Sequence, residues 1–268
     1  MATLVLSNVV KRYRLRSGFR QEALMAVDDV SFELESGQTI ALVGQSGSGK
    51  STIAKLILRL ERPTRGRICL DGVELPQIKL KQYRRQVQMV FQDPFGSLNP
   101  YHTVAHHLER PLRIHFPGQS PAQRQQELRS LLERVRLTPA EDFAQRHPHE
   151  LSGGQRQRVA IARALAPKPQ VLIADEPVSM LDVSIRLGVL NLLAQLQREE
   201  NLGVLYITHD LATARHFSDQ IMVMHQGRVV ERGLADDVIL RPQDDYTRRL
   251  AAAAPNPERR LAQVVRQR

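Results

Sequence analysis

The chain opens on short apolar stretches broken by turns, and their spacing predicts strands over Thr3 to Asn8, Ala26 to Leu34 and Thr39 to Val43, the second alternating apolar and polar positions. After Val43 the pattern changes. A glycine-rich stretch leads into Ser51 to Leu60, where Ile53, Leu56, Ile57 and Leu60 recur at helical spacing, so the order is strand, loop, helix. Residues from about 94 to 150 carry Pro, His, Gln and Arg-rich amphipathic segments, notably Ala122 to Val135, and no strand pattern; they read as a helical insert. From Gln157 the alternation returns. A helix to Ala166 precedes a buried strand Val171 to Asp175, a helix Ile185 to Glu200, a strand Gly203 to Thr208, a helix Leu211 to Ser218 and a strand pair around Ile221 to Glu231. Such alternation implies a mainly parallel sheet with its site at the strands' carboxyl ends. The final thirty or so residues, with Ala251 to Ala254, Pro255 and Pro257, read as a loosely attached appendage.

Composition narrows the classes. With 268 residues, 42% of them hydrophobic, the chain can bury a sizeable core. Its apolar runs are far shorter than the roughly 20 residues that cross a bilayer. No secretory signal is evident at the N-terminus, so a cytosolic protein is expected. The single cysteine, Cys69, rules out an intrachain disulfide and a zinc or iron–sulfur site built from cysteines of one chain. A net charge of +10 raises nucleic acid as a partner. The distribution argues against it: basic residues are spread out, with modest concentrations at Lys11 to Arg20 and at Arg259, Arg260, Arg266 and Arg268, and aromatics for base stacking are few. A surface near anionic lipid headgroups suits the same charges.

Two motifs carry chemistry, the second through its place after the first. Gly44-Gln45-Ser46-Gly47-Ser48-Gly49-Lys50-Ser51-Thr52 satisfies G-x-x-x-x-G-K-[ST] between an apolar strand and a helix. Its glycines let backbone N–H groups close around phosphate oxygens at a helix N-terminus, Lys50 would reach the β- and γ-phosphates, and Ser51 would offer a hydroxyl to Mg²⁺. A nucleoside triphosphate is the expected ligand. The buried run Val171 to Ala174 then ends in Asp175 and Glu176, about 125 residues after the glycine loop. One carboxylate can hold the magnesium shell, here Asp175, while Glu176 faces the attacking water and takes its proton.

The stretch Leu151-Ser152-Gly153-Gly154-Gln155, followed by Arg156-Gln-Arg-Val-Ala-Ile-Ala-Arg-Ala-Leu, resembles the signature of ABC transporter ATPases. The resemblance covers nearly the whole chain. It implies an α/β fold: a P-loop NTPase (RecA-like) core with an antiparallel β subdomain, in residues 1–93 and 157–235, an inserted α-helical subdomain at about 94–156, and a C-terminal appendage of the oligopeptide-transporter type at 236–268. In such proteins two cassettes face head to tail, so Ser152, Gly153, Gly154 and Gln155 would act in trans on ATP held by the partner's glycine loop. By the same resemblance Gln92 joins the magnesium shell, His209 contacts the γ-phosphate, Asp182 communicates across the dimer, and Tyr13 is the candidate ring for stacking on adenine. ATP and Mg²⁺ are the implied cofactors.

The strings Phe91 to Pro100, Asp175 to Ser179 and Leu181 to Ile185 are similar to those of the dipeptide, oligopeptide and nickel uptake group, especially its second ATPase subunit. That implies a peripheral subunit on the cytoplasmic face of the cell membrane. Its partners would be a second ATPase, preferably non-identical, two permeases and, indirectly, an extracytoplasmic solute-binding protein, with no nucleic acid. Gln243-Asp-Asp-Tyr246-Thr247 departs from the group's His-Pro-Tyr-Thr, and Met180 is a variation associated with oligosaccharide uptake. His102, His106 and His107 cluster; 102 and 106 would share a helix face, but an exposed polar surface is the favoured reading over a metal site. The alternative function is an ATPase subunit of a non-transport assembly, as in phosphonate breakdown.

Overall fold

A computed structural model describes residues 2–17 and 20–253; Pro255, Pro257 and the basic residues Arg259, Arg260, Arg266 and Arg268 lie outside the described residues. Along the chain the elements are β1 (Thr3–Ser17), β2 (Arg20–Glu35), β3 (Thr39–Val43), α1 (Lys50–Ile57), β4 (Arg65–Leu70), β5 (Val73–Glu74), α2 (Leu80–Gln86), β6 (Val87–Val90), α3 (Pro94–Ser97), α4 (Val104–His115), α5 (Pro121–Arg134), α6 (Ala140–Gln145) and α7 (Gly153–Leu165). They continue as β7 (Val171–Asp175), α8 (Val183–Glu199), β8 (Gly203–Thr208), α9 (Leu211–Phe217), β9 (Gln220–His225), β10 (Arg228–Leu234), α10 (Ala235–Leu240) and α11 (Asp245–Ala253).

The central sheet runs β10-β9-β3-β8-β7-β6, parallel throughout except at β9–β10. Alternate residues of one strand bury into different cores: Ala41 and Val43 pack with Leu172, Ala174, Val204 and Tyr206 in the first, while Ile40 and Leu42 pack with Ile173, Leu205 and Ile207 in the second. A sheet covered on both faces needs strands apolar at every position, which is why these runs do not alternate in the sequence. The second core is closed by an antiparallel sheet, β2-β1-β4-β5, whose inward residues Leu4, Leu6, Val27, Val30, Ile68 and Leu70 join it. The first is closed by the helices between α4 and α9, through Leu108, Leu112, Leu132, Val159, Leu193 and Phe217. Serine caps set two of their starts: Ser120 accepts from the Gln123 N–H and Ser152 from the Gln155 N–H, each glutamine reaching back to its cap.

Several boundaries differ from the sequence expectation. The first strands are one long hairpin of 15 and 16 residues rather than short pieces, and Tyr13 sits within it opposite Leu24. Helix α1 stops at Ile57, leaving Leu60 62% exposed instead of on the buried stripe. His102 precedes α4, which is capped by Thr103, so it shares no helix face with His106. The described part of the C-terminal segment is not loosely attached: Tyr246 and Thr247 of α11 are buried, and Tyr246 belongs to the first core.

Candidate nucleotide site

The glycine loop bridges β3, at the centre of the sheet, and α1. Its shape depends on glycine at two points. A Cβ at Gly44 would lie 2.2 Å from the Met224 carbonyl oxygen, and Gly49 has φ 110° with the Ala26 carbonyl oxygen 2.3 Å from where a Cβ would stand. Strands β2 and β9 therefore buttress the loop from outside. Inside it, the Lys50 ammonium donates to the Gly44 and Gln45 carbonyl oxygens at 2.6 and 2.9 Å. Burial pushes the Lys50 ammonium below its ordinary pKa, with the charges of Glu176 and Asp175 acting the other way.

Those carboxylates stand at the end of β7. Asp175 is pushed up to about 6, first by burial and then by the Glu176 charge, against a smaller lowering by Lys50. Glu176 takes φ 45°, a left-handed conformation uncommon for a residue with a side chain, while its N–H still bonds the Ile207 carbonyl at 2.8 Å. Its two carboxylate oxygens have separate partners. Oε1 lies 2.9 Å from His209 Nδ1 and Oε2 accepts from Gln92 Nε2 at 3.1 Å.

These groups share one cleft of about 790 Å³, lined by Tyr13, Gln45, Ser46, Gly47, Gly49, Lys50, Ser51, Thr52, Gln92, Asp175, Glu176 and His209. Gly44 and Ser48 stand behind the loop surface, Ser48 being 5% exposed. The Tyr13 phenol is raised by burial and by a hydrogen bond to Glu61, and the Lys11 ammonium sits 5.0 Å from the centroid of its ring. The signature residues Ser152, Gly153, Gly154 and Gln155, and Asp182 at the cap of α8, are not among those lining the cleft.

A groove of about 860 Å³ adjoins the cleft, sharing Gln92 and Asp175 and walled by Phe91, His102, His106, Arg110 and Arg163. The His102 and His106 rings stack at 4.0 Å, and His107 is tied to the Asn99 carbonyl at 3.0 Å. No group of three or more His, Cys, Asp or Glu side chains able to hold a metal ion occurs among the described residues.

The sequence profile of the family described as "ABC transporter" matches residues 27–179, more than half of the chain. The chain belongs to the ABC transporter family. Within this family it is 43% identical over 263 residues to the probable peptide ABC transporter ATP-binding protein y4tS of Sinorhizobium fredii, covering 96% of this chain and 74% of that protein. It is 46% identical over 272 residues to the glutathione import ATP-binding protein GsiA of Escherichia coli K12. That match takes in 98% of this chain but only 43% of GsiA's length. Among solved structures it is similar to a dimeric ATP-binding cassette, MJ0796, in a post-hydrolysis state bound to ADP and Pi. The TM-score is 0.75 at 33% identity, over 87% of this chain and 98% of that one. The fold is that of a P-loop ATPase cassette, and this ABC protein binds ATP. Among the described residues, no helix is long and apolar enough to cross a membrane.

Sequence reasoning missed part of the cleft wall. Leu24 and Met25 of β2 and Leu250 of α11 also line it. Periodicity could have placed β2 beside β1, but nothing local points from residue 250 to residue 45.

Proposed function

We propose that the chain is the ATP-hydrolysing motor of a bacterial importer for peptides or related solutes, glutathione, nickel and oligosaccharides among them. The observation that supports this reading is the row of side chains in the cleft: Glu176 fixed between Gln92 and His209, beside Lys50 of the glycine loop. A non-transport role has no comparable support, because the relatives are described as a probable peptide ABC transporter ATP-binding protein and a glutathione import ATP-binding protein.

Each residue has a part to play. Backbone N–H groups from Ser46 to Thr52 and the Lys50 ammonium bind the phosphates; Tyr13 offers a ring to the base. Ser51, Gln92 and Asp175 are hard oxygen donors suited to Mg²⁺, and a buried carboxylate raised to about 6 is one that a cation would relieve. When bound, the metal supplies charge neutralisation on the transferring phosphoryl group. Glu176 accepts the proton of the attacking water, with His209 and Gln92 aiming its carboxylate. Signature residues Ser152 to Gln155 lie outside their own cleft and suit a second cassette, to which Asp182 relays the state of the site. That second cassette is a similar but non-identical ATPase by the subgroup resemblance. Two permeases docked near Gln92 to Pro100, with a binding protein beyond them, complete the importer on the cytoplasmic face of the membrane, and no nucleic acid takes part.

The test is an affinity purification of the tagged chain from detergent-solubilised native membranes, with ATP hydrolysis measured on whatever copurifies. Two permeases and a second ATPase are expected, and the same assembly carrying Glu176→Gln should bind ATP yet hydrolyse it about 100-fold or more slowly. Copurifying soluble enzymes in place of permeases, or wild-type turnover by the variant, would overturn the reading.

A further inference from the structure

Among the described residues, the C-terminal helix reaches the nucleotide loop through a single hydrogen bond. The Tyr246 hydroxyl accepts a hydrogen bond from the Gln45 N–H at 3.1 Å, across 201 residues of sequence. Tyr246 is 7% exposed, and its ring stacks on His225 of β9 with centroids 3.9 Å apart. The start of α11 is itself fixed. Asp244 caps it by accepting from the Tyr246 and Thr247 N–H groups, and the Glu231 carboxylate of β10 accepts from the N–H groups of Gln243 and Asp244 at 2.8 and 3.1 Å. One turn on, Leu250 lines the nucleotide cleft.

The Gln45 N–H belongs to the same peptide unit as the Gly44 carbonyl, and that carbonyl accepts from the Lys50 ammonium at 2.6 Å. The first peptide of the loop is thus held at both ends, by Lys50 on its oxygen and Tyr246 on its nitrogen. The two anchors differ in one respect. Lys50 is the side chain that must turn to the β- and γ-phosphates when a nucleotide binds, and its three donors cannot serve the phosphates and both loop carbonyls equally well. Tyr246 has no such second task.

We propose that Tyr246 is a positioning residue for the nucleotide loop, holding the Gly44–Gln45 peptide in place when Lys50 leaves it for the phosphates. The C-terminal segment is then a working wall of the ATP site. Because the peptide has two anchors without nucleotide and one with it, losing the hydroxyl weakens the nucleotide-bound state more than the free one. The loss appears in affinity rather than in the stability of the unliganded fold.

Tyr246→Phe in the full chain removes the hydroxyl and keeps the ring on His225. Isothermal titration with MgATP and with MgADP should show binding weakened about tenfold, the size expected for one hydrogen-bonded anchor lost from the nucleotide-bound state while Lys50 still holds the peptide in the free one. The thermal midpoint of the nucleotide-free variant should stay within about 2 °C of wild type. Tyr246→Ala, which also removes the stacked ring, should lower both affinity and midpoint. Affinity within twofold of wild type for Tyr246→Phe would overturn the proposal. So would a fall in its unliganded midpoint as large as that of Tyr246→Ala, which would make the contact part of general packing. Failure of wild-type protein to bind MgATP would instead count against the nucleotide site as a whole.

Discussion

Replacing Asp175 by asparagine should make the nucleotide-free protein more stable, by an amount that grows with pH. In the folded chain the carboxyl is pushed from 3.8 to about 6 by burial and by Glu176. Between those values the folded state holds a proton that the unfolded chain has released, so folding stability falls as pH rises from about 4 to about 6 and then levels off. Roughly two pKa units at about 1.4 kcal/mol each set an upper bound near 3 kcal/mol on the cost of ionising Asp175 at neutral pH. Asparagine carries no charge to bury, keeps the shape and does not titrate. It should recover about 1 to 3 kcal/mol above pH 6, or a midpoint about 2 to 5 °C higher for a chain of this size. Thermal unfolding of both proteins, with nucleotide and divalent cations removed, at steps from pH 4 to pH 8 measures the difference directly. The two midpoints should converge near pH 4, separate between pH 4 and 6, and run parallel above. A variant no more stable than wild type at pH 7.5, or a gap that does not change with pH, would refute the reasoning. An anionic site so costly to the free protein is one that a cation can occupy with gain.

Two further substitutions probe the loop. Gly44→Ala forces a Cβ to within 2.2 Å of the fixed Met224 carbonyl and 2.7 Å of Ser48 Oγ, so it should lose about 2 to 4 kcal/mol in urea unfolding; an unshifted midpoint would mean that β9 does not buttress the loop. Lys50→Ala removes the ammonium assigned to the phosphates and should weaken MgATP binding about 100-fold or more by calorimetry, whereas near-normal affinity would take Lys50 out of that role.

What the sequence made legible was local. The glycine loop is a contiguous string whose chemistry can be read without knowing the fold, the Asp175–Glu176 pair takes its meaning from its place after that loop, the signature is read through the family resemblance, and β3, β7 and β8 announce themselves because both of their faces are buried. Strand β4 was missed because Arg65, Gly66 and Arg67 are exposed and only its second half, with Ile68 and Leu70, faces a core. Strand β6 offers only four residues, and its two middle ones are partly exposed. The contact of Tyr246 with Gln45 had no local signal either, since a tyrosine preceded by two aspartates reads as surface.

The strand order explains why residues so far apart in sequence form one site. Strands β6, β7 and β8 are adjacent and parallel, so the residues that follow them emerge in a row about one strand spacing apart. Gln92 comes two residues past β6, Glu176 one past β7 and His209 one past β8. Next in the sheet is β3, which delivers the glycine loop at the same edge. The left-handed backbone at Glu176 fits this geometry. Its N–H remains bonded to Ile207, so the chain keeps its pairing to β8 for one more residue before it turns. That turn brings one carboxylate oxygen to each neighbour, His209 on one side and Gln92 on the other. A substitution that relaxed the turn would leave every named residue present and the row broken, which is why the motif strings alone do not define the site.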